Sequence, residues 1–261
     1  MSEDFKRTLF SFFDPREFKD QTAIVTGGSR GIGRAVALGL SLLGANLIIG
    51  FQKDETAART LEKEIQGQGR SCLLVQGDVA LADTWKTMVL EAEKHWGRID
   101  ILINNAAQVR DRLFLFLQEA DWDQVMAVNL KGIYHGCKTV LRAMIARHFG
   151  RIINLTSPSA ILGRAGQTNY SASKGGLISF SKSLAREVAH LGITVNCVSP
   201  GVIETELFDN LPEKTQHELI RQIPAGIPGR PEAVMGPILF LASKRADYLT
   251  GQVIAVDGGL T

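Results

Sequence analysis

An α/β fold, a single doubly wound parallel sheet with helices on both faces, is predicted by three observations. Short apolar runs alternate with helix-period segments from Gln21 onward. The runs are apolar throughout rather than at every second position, which marks strands buried on both faces. No linker, internal repeat or low-complexity tract divides the 261 residues, a length that can bury a full core in one domain.

The elements follow in order. Residues 22–25 form a short β-rich run, followed by a glycine loop and a helical stretch over 32–43. A strand over 47–49 precedes a charged helix over 55–66, and a strand over 72–75 precedes an amphipathic helix over 83–96. A strand over 99–103 leads into a long helical region over 121–147, and one over 151–155 into a helix over 170–190. Strands over 193–198 and 252–256 complete the sheet. Right-handed crossovers then place any ligand at the carboxyl ends of the strands. Residues 21–261 make up this domain. Residues 1–20 form an arm with Phe5, Phe10, Phe12, Phe13 and Phe18, five of the chain's 12 phenylalanines. The arm is expected to pack its rings onto its own body or a neighbouring subunit, and it shows no clear helical stripe for a membrane surface.

Charge and cysteine content narrow the function classes. With 29 Lys and Arg against 27 Asp and Glu, the chain has no extended basic field, and nucleic acid is not an expected partner. Cys72, Cys137 and Cys197 are odd in number and lack metal-ligand spacing, so they read as reduced thiols of a cytoplasmic protein with no metal centre. The uncharged stretch between Arg34 and Lys53 contains Gly39, Gly44, Asn46 and Gly50, and changes from helical to strand-like pattern midway. It reads as a buried helix and strand, not a membrane span, and no stable membrane insertion is expected.

Thr26-Gly27-Gly28-Ser29-Arg30-Gly31-Ile32-Gly33 joins the first strand to the first helix of the domain. Gly27 permits the tight turn, Gly31 lets backbone approach a pyrophosphate, and Gly33 allows close helix–strand packing. Coming after a strand and opening a helix, the loop predicts a Rossmann-type dinucleotide site. The second strand continues through Gly50-Phe51-Gln52-Lys53, and its first acid, Asp54, falls beyond the place where a carboxylate would hold the adenosine ribose of NAD. Gln52 without that carboxylate, and Arg30 with Lys53 as cations, favour NADP(H) over NAD(H).

Tyr170 and Lys174 stand four apart on one helix face. Together with the Gly27/Gly31/Gly33 loop, Asp78-Val79, Asn104-Asn105-Ala106-Ala107, Asn129, Ser157 and Pro200-Gly201, they resemble the short-chain dehydrogenase/reductase family along the whole domain. Within it, Val109-Arg110-Asp111-Arg112-Leu113, Gly201-Val202-Ile203-Glu204-Thr205 and Ile223-Pro224-Ala225-Gly226 are most similar to 3-oxoacyl-[acyl-carrier-protein] reductases.

The resemblance implies a set of roles. Tyr170 donates a proton to a carbonyl oxygen, and Lys174, with the nicotinamide cation, lowers the phenol from its ordinary value of ~10. Lys174 also binds the nicotinamide ribose, Ser157 orients the substrate oxygen, and Asn129 holds a water in a proton relay. Asp78 bonds the adenine amino group, and Val79 contacts the ring through its backbone. Asn105 and Ala106 line the adenosine ribose side. Pro200, Gly201, Ile203 and Thr205 hold the nicotinamide end, and Ser29, Arg30 and Ile32 the phosphates. Specificity is expected from 159–167, with Gln167 at the substrate, and from 206–221, with Leu207, Phe208 and Leu211. Two departures stand out. Ala107 replaces the glycine of Asn-Asn-Ala-Gly, and His148 and Leu191 stand where related reductases have arginines for the acidic carrier protein; Arg142, Arg147 and His190 lie nearby.

The expected activity is NADPH-dependent reduction of a 3-oxoacyl thioester carried on acyl carrier protein, in fatty-acid, polyketide or aryl-polyene assembly, by a homotetramer paired through its two long helices. An NADP-dependent alcohol dehydrogenase or carbonyl reductase for a free sugar, polyol or steroid is the close rival. A catalytically silent nucleotide-binding subunit is the reading from another class.

Overall fold

In the computed structural model the described residues are 3–261; the side chains of residues 3–5, Phe5 included, and of Leu207 lie outside the described set. The seven strands are β1 (Thr22–Thr26), β2 (Asn46–Phe51), β3 (Cys72–Gln76), β4 (Ile101–Asn104), β5 (Gly150–Leu155), β6 (Ile193–Pro200) and β7 (Val253–Val256). They form one parallel sheet in the order β3-β2-β1-β4-β5-β6-β7. The chain winds outward from β1 through β2 to β3, then returns to pair β4 with the other side of β1. The order therefore reverses between β1 and β4, where a crevice opens above the carboxyl ends of the strands.

The helices are α1 (Glu3–Phe12), α2 (Gly31–Leu42), α3 (Glu55–Gly67), α4 (Ala82–Trp96), α5 (Glu119–Met126), α6 (Gly132–Arg147), α7 (Ser159–Leu162), α8 (Thr168–Val188), α9 (Glu206–Asp209), α10 (Glu213–Arg221) and α11 (Pro231–Ala242). One core lies between the sheet and α2, α3 and α11; the other lies between the sheet and α4, α6 and α8. Glycines set the helix spacing. A Cβ on Gly39 would stand 2.6 Å from Met235 Sδ, so α2 and α11 can touch only because it is absent. Gly136 of α6 gives the same room to the buried Trp85 of α4.

Three features differ from the sequence reading. The helix α11 was not expected, because Pro237 interrupts its pattern and its residues are apolar almost all round. Burial of Val234, Met235, Ile238 and Leu239 against α2 outweighs the lost backbone bond. The expected helix over 121–147 is broken into α5 and α6 by a π-helical turn, Ala127–Lys131. The arm forms a helix that turns Leu9 inward, with Phe13 and Phe18 also buried, while Phe10 and Phe12 stay exposed. Arg245 binds the arm by donating to the Phe12 carbonyl, which ends α1, and by pairing with Glu17 at 3.2 Å. No described helix is long and apolar enough to cross a membrane.

Candidate active site

Most residues singled out for chemistry lie at or just beyond the carboxyl end of a strand, and Asn129, Tyr170 and Lys174 lie in the helical segments that follow β4 and β5. After β1, Gly27 (φ +60°) and Gly31 (φ +52°) take left-handed conformations that side chains rarely adopt. A Cβ on Gly33 would lie 2.3 Å from the Gly27 carbonyl and 2.5 Å from Asn105 Nδ2. The loop is clasped to β4 across the switch point. Asn105 Nδ2 donates to the carbonyls of Thr26 (3.0 Å) and Gly27 (2.9 Å), and Thr26 Oγ1 accepts from the N–H groups of Asn105 and Ala106, both at 3.1 Å. The first turn of α2 has no acidic residue, and Arg30 before it provides no side-chain cap. That helix end therefore presents its N–H groups and positive dipole end to an anion. The glycine cradle and the uncapped helix fit a dinucleotide pyrophosphate.

Beyond β2, Gln52 and Lys53 are exposed. Asp54 is spent on local structure: its Oδ1 accepts from Ala57 N at 2.9 Å and caps α3. No carboxylate is thus left at the end of β2 among residues 51–53. Arg30 lies 3.5 Å from Glu206, an exposed pair that joins the phosphate loop to α9. Asp78 uses Oδ1 in a turn, accepting from Ala80 N at 2.8 Å, and the Val79 carbonyl accepts from Trp85 Nε1 at 2.8 Å. After β6, Gly201 is packed against Asp257, Ile203 is buried in a bridge to Gly229, and the Thr205 methyl approaches Gly31. The far end of the crevice therefore closes back onto the phosphate loop.

The hydroxyl and amine groups meet at the end of β5. Lys174 is completely buried in α8, with Nζ donating to the Leu155 carbonyl at 2.6 Å and lying 5.7 Å from the centre of the Tyr170 ring. Burial lowers its value to about 8, opposed by the nearby Cys197. Ser157 stands two residues beyond Leu155, its Oγ 3.0 Å from Ser159 Oγ and within reach of the Tyr170 hydroxyl. Burial raises the Tyr170 phenol above its ordinary value; Ser157 opposes this, and the Asp111 carboxylate adds to it. In the protein alone, burial and Asp111 thus oppose ionisation of the phenol, whereas the lowering expected from Lys174 together with the nicotinamide cation concerns the cofactor complex.

Asn129 sits in the π-turn and is fully buried. Its Oδ1 accepts from Gln108 N at 2.8 Å, and its Nδ2 donates to Gln108 O at 2.9 Å and to Ser173 Oγ at 3.2 Å. The extra residue of a π-turn rotates one side chain inward out of the regular series. Here that side chain pins the loop after β4 to α8.

Gln167 is also buried, donating from Nε2 to Asp111 at 2.8 Å. The region 206–221 folds largely on itself: Phe208 and Leu219 are buried, and Gln216 donates to the Phe208 and Leu211 carbonyls. Leu211 is half-buried. Four contributors carried no role in the sequence reading. Thr26 and Asp111 lay inside quoted motifs, and Ser173 lies next to Lys174. Asn169 donates to the Arg110 carbonyl at 3.1 Å from the residue before Tyr170. Only proximity to the motif pointed to them.

Residues 27–261 match a family model described as enoyl-(acyl carrier protein) reductase. The chain is similar to the 3-oxoacyl-[acyl-carrier-protein] reductase of Staphylococcus aureus, with 39% identity over 240 residues that cover 92% of this chain and 98% of the relative. It is 42% identical over 241 residues to the protein of that name from Synechocystis, covering 92% of this chain and 96% of the relative. The Salmonella typhimurium reductase is 41% identical over 244 residues, 93% and 98% of the two chains. From these matches, and from the parallel sheet whose glycine loop and Tyr170/Lys174 helix flank one crevice, the chain belongs to the short-chain dehydrogenase/reductase family.

Proposed function

We propose that this chain reduces 3-oxoacyl thioesters, carried on acyl carrier protein, to 3-hydroxyacyl products with NADPH. The observation that carries the reading is the convergence of Ser157, Tyr170 and Lys174 on one side of a crevice whose other side is a glycine cradle. Bound in the cradle, NADPH would supply the hydride for the carbonyl carbon, so the protein's own groups have to meet the negative charge on the oxygen. Ser157 donates a hydrogen bond to that oxygen and holds it against the phenol. Tyr170, kept protonated by its surroundings, hands over its proton. At neutral pH Lys174, with a value of about 8, is mainly a cation that steadies the resulting phenolate. Asn129 acts as a positioning residue through Gln108 and Ser173. Gly27, Ser29, Arg30, Gly31, Ile32 and Gly33 cradle the phosphates. Asp78, Val79, Asn105 and Ala106 hold the adenosine; Pro200, Gly201, Ile203 and Thr205 hold the nicotinamide end.

The assignment of NADPH rests on Gln52 at the end of β2, on Asp54 being occupied as a cap, and on Arg30 at the loop. For the carrier, the observation is a basic surface. His148 ends α6 in a left-handed conformation, and a Cβ on Gly192 would stand 2.3 Å from its carbonyl, so the turns holding His148 and Leu191 abut. Arg142, Arg147 and His190 are exposed beside them and offer cations to an acidic partner. A homotetramer paired through α6 and α8, acting in the cytoplasm, completes the proposal.

The test is NADPH oxidation with acetoacetyl-CoA, run beside NADH, beside crotonyl-CoA and beside Tyr170→Phe. NADPH oxidation with the ketone, weak with NADH and absent with the enoyl thioester, is expected. In Tyr170→Phe, kcat falls by about 10²–10⁴ while NADPH binding persists. Turnover by the pure protein rejects the silent-subunit reading. Turnover of free ketones without thioesters transfers the assignment to a carbonyl reductase.

A further inference from the structure

Both backbone polar groups of Tyr170 are held by buried side chains that lead to one loop. Tyr170 stands in the first turn of α8, so its N–H is one of the donors for which the helix itself has no partner. Gln167, which precedes the helix, makes no side-chain bond there. The N–H donates instead to Asn169 Oδ1 at 2.8 Å, while Asn169 Nδ2 donates to the Arg110 carbonyl at 3.1 Å. The Tyr170 carbonyl accepts from Ser173 Oγ at 2.7 Å. Ser173 Oγ in turn accepts from Asn129, whose amide holds both backbone groups of Gln108. Asn129, Asn169 and Ser173 are all fully buried. The two arms of this clasp therefore end at Gln108 and Arg110, on the loop whose start, Asn105 and Ala106, is fixed to Thr26 beside the glycine cradle.

The geometry points to Asn169 as a positioning residue for the proton transfer: it fixes the backbone of Tyr170 against the loop after β4, and so sets where the phenol stands relative to Ser157. The inference rests on the reading of Tyr170 as the proton donor. A side chain that only capped α8 would need an oxygen facing the helix and nothing more. Asn169 uses both ends of its amide, and the end that leaves the helix meets a segment 59 residues earlier in the chain. Alanine at this position would take a partner from two backbone groups, the Tyr170 N–H and the Arg110 carbonyl, and leave Tyr170 held from the Ser173 side alone. Proton transfer is sensitive to such loosening, because donor and acceptor must stand within hydrogen-bond reach and a displacement of about 1 Å costs about 10²-fold in rate. The glycine cradle has its own clasp, through Asn105 and Thr26, so NADPH affinity does not depend on Asn169.

The test compares Asn169→Ala and Asn169→Asp with the wild type. Aspartate keeps an oxygen for the Tyr170 N–H and suits the start of a helix, but when ionised it has no hydrogen to give Arg110. In both variants kcat with acetoacetyl-CoA is expected to fall about 10- to 100-fold, with NADPH affinity within about twofold of the wild type. Wild-type kcat in Asn169→Asp overturns the proposal, since it would leave Asn169 a helix cap only. In a Tyr170→Phe background Asn169→Ala is expected to cost nothing further, and an equal loss in both backgrounds overturns the proposal as well. Fluorine NMR of protein carrying 3-fluorotyrosine reads the same point without substrate. Of the three tyrosines, Tyr134, Tyr170 and Tyr248, only the Tyr170 resonance, assigned by its loss in Tyr170→Phe, is expected to shift or broaden in the two variants. An unmoved Tyr170 resonance, or movement of all three, overturns the proposal. If the wild type reduces neither thioesters nor free ketones, the reading of Tyr170 as proton donor is what fails, and the NMR comparison still decides whether Asn169 holds that side chain in place.

Discussion

The phosphate loop and the exposed Leu113–Phe116 stretch after β4 are built on opposite principles. Around Thr26–Gly33 almost nothing has room to move: two glycines hold left-handed φ values, Gly33 has no space for a methyl group, and Asn105 and Thr26 lock the turn to β4. Across Leu113–Phe116 one 3₁₀ turn holds the backbone while the side chains are 60–86% exposed. A pyrophosphate has one shape and one charge and is matched by oriented N–H groups, which requires a rigid backbone. Exposed rings and leucines impose no such geometry, since apolar attraction is non-directional.

The contrast can be broken at its rigid end. Gly33→Ala places a methyl group against the Gly27 carbonyl and Asn105 Nδ2, atoms that cannot retreat without unlatching the loop from β4. NADPH binding, followed by fluorescence titration, is expected to be lost, with a stability loss of about 1–3 kcal/mol in urea unfolding. Retained affinity would mean that the loop is less constrained than its contacts require.

A second effect extends the comparison to the buried amine of α8, which lies in neither region. Lys174 has a folded value of about 8, below the 10.5 of a free lysine, because it is buried. Between those values the unfolded chain carries a proton that the folded chain lacks, so stability from this group rises with pH across the window. Below about pH 8 both states are protonated, and the folded protein bears the cost of a buried cation. The stability of the wild type relative to Lys174→Met should therefore rise by up to about 3 kcal/mol from pH 8 to 10.5. A flat difference would show that Lys174 is solvated in the folded protein. The smallest effect belongs to the Leu113–Phe116 stretch: Leu115→Ser should leave the free energy of urea unfolding within about 0.5 kcal/mol of the wild type, since its side chain has almost nothing to lose on folding. A larger loss would place Leu115 in a packed interface.

Much of this protein is legible in its sequence because the determinants are local. The strand–glycine loop–helix unit, the parallel strands and the spacing of Tyr170 and Lys174 depend on residues a few positions apart, so periodicity and backbone preference identify them. The absence of a carboxylate at the end of β2 is local too, and the cap that occupies Asp54 explains it. Other features depend on partners distant in the chain. Pro237 argues against α11 until α2 is packed on it, and a continuous helix over 121–147 is the natural reading until Asn129 finds the Gln108 backbone. Tyr170 and Lys174 could be paired by spacing, but their proton affinities could not, because burial, the Leu155 carbonyl and Asp111 are brought to them by three separate strands and loops. The sequence by itself thus determined the fold class and the chemical groups. Tertiary structure alone decided their charge, their constraint and which apolar side chains remain in water, since each of these depends on the distance to residues far away in the chain.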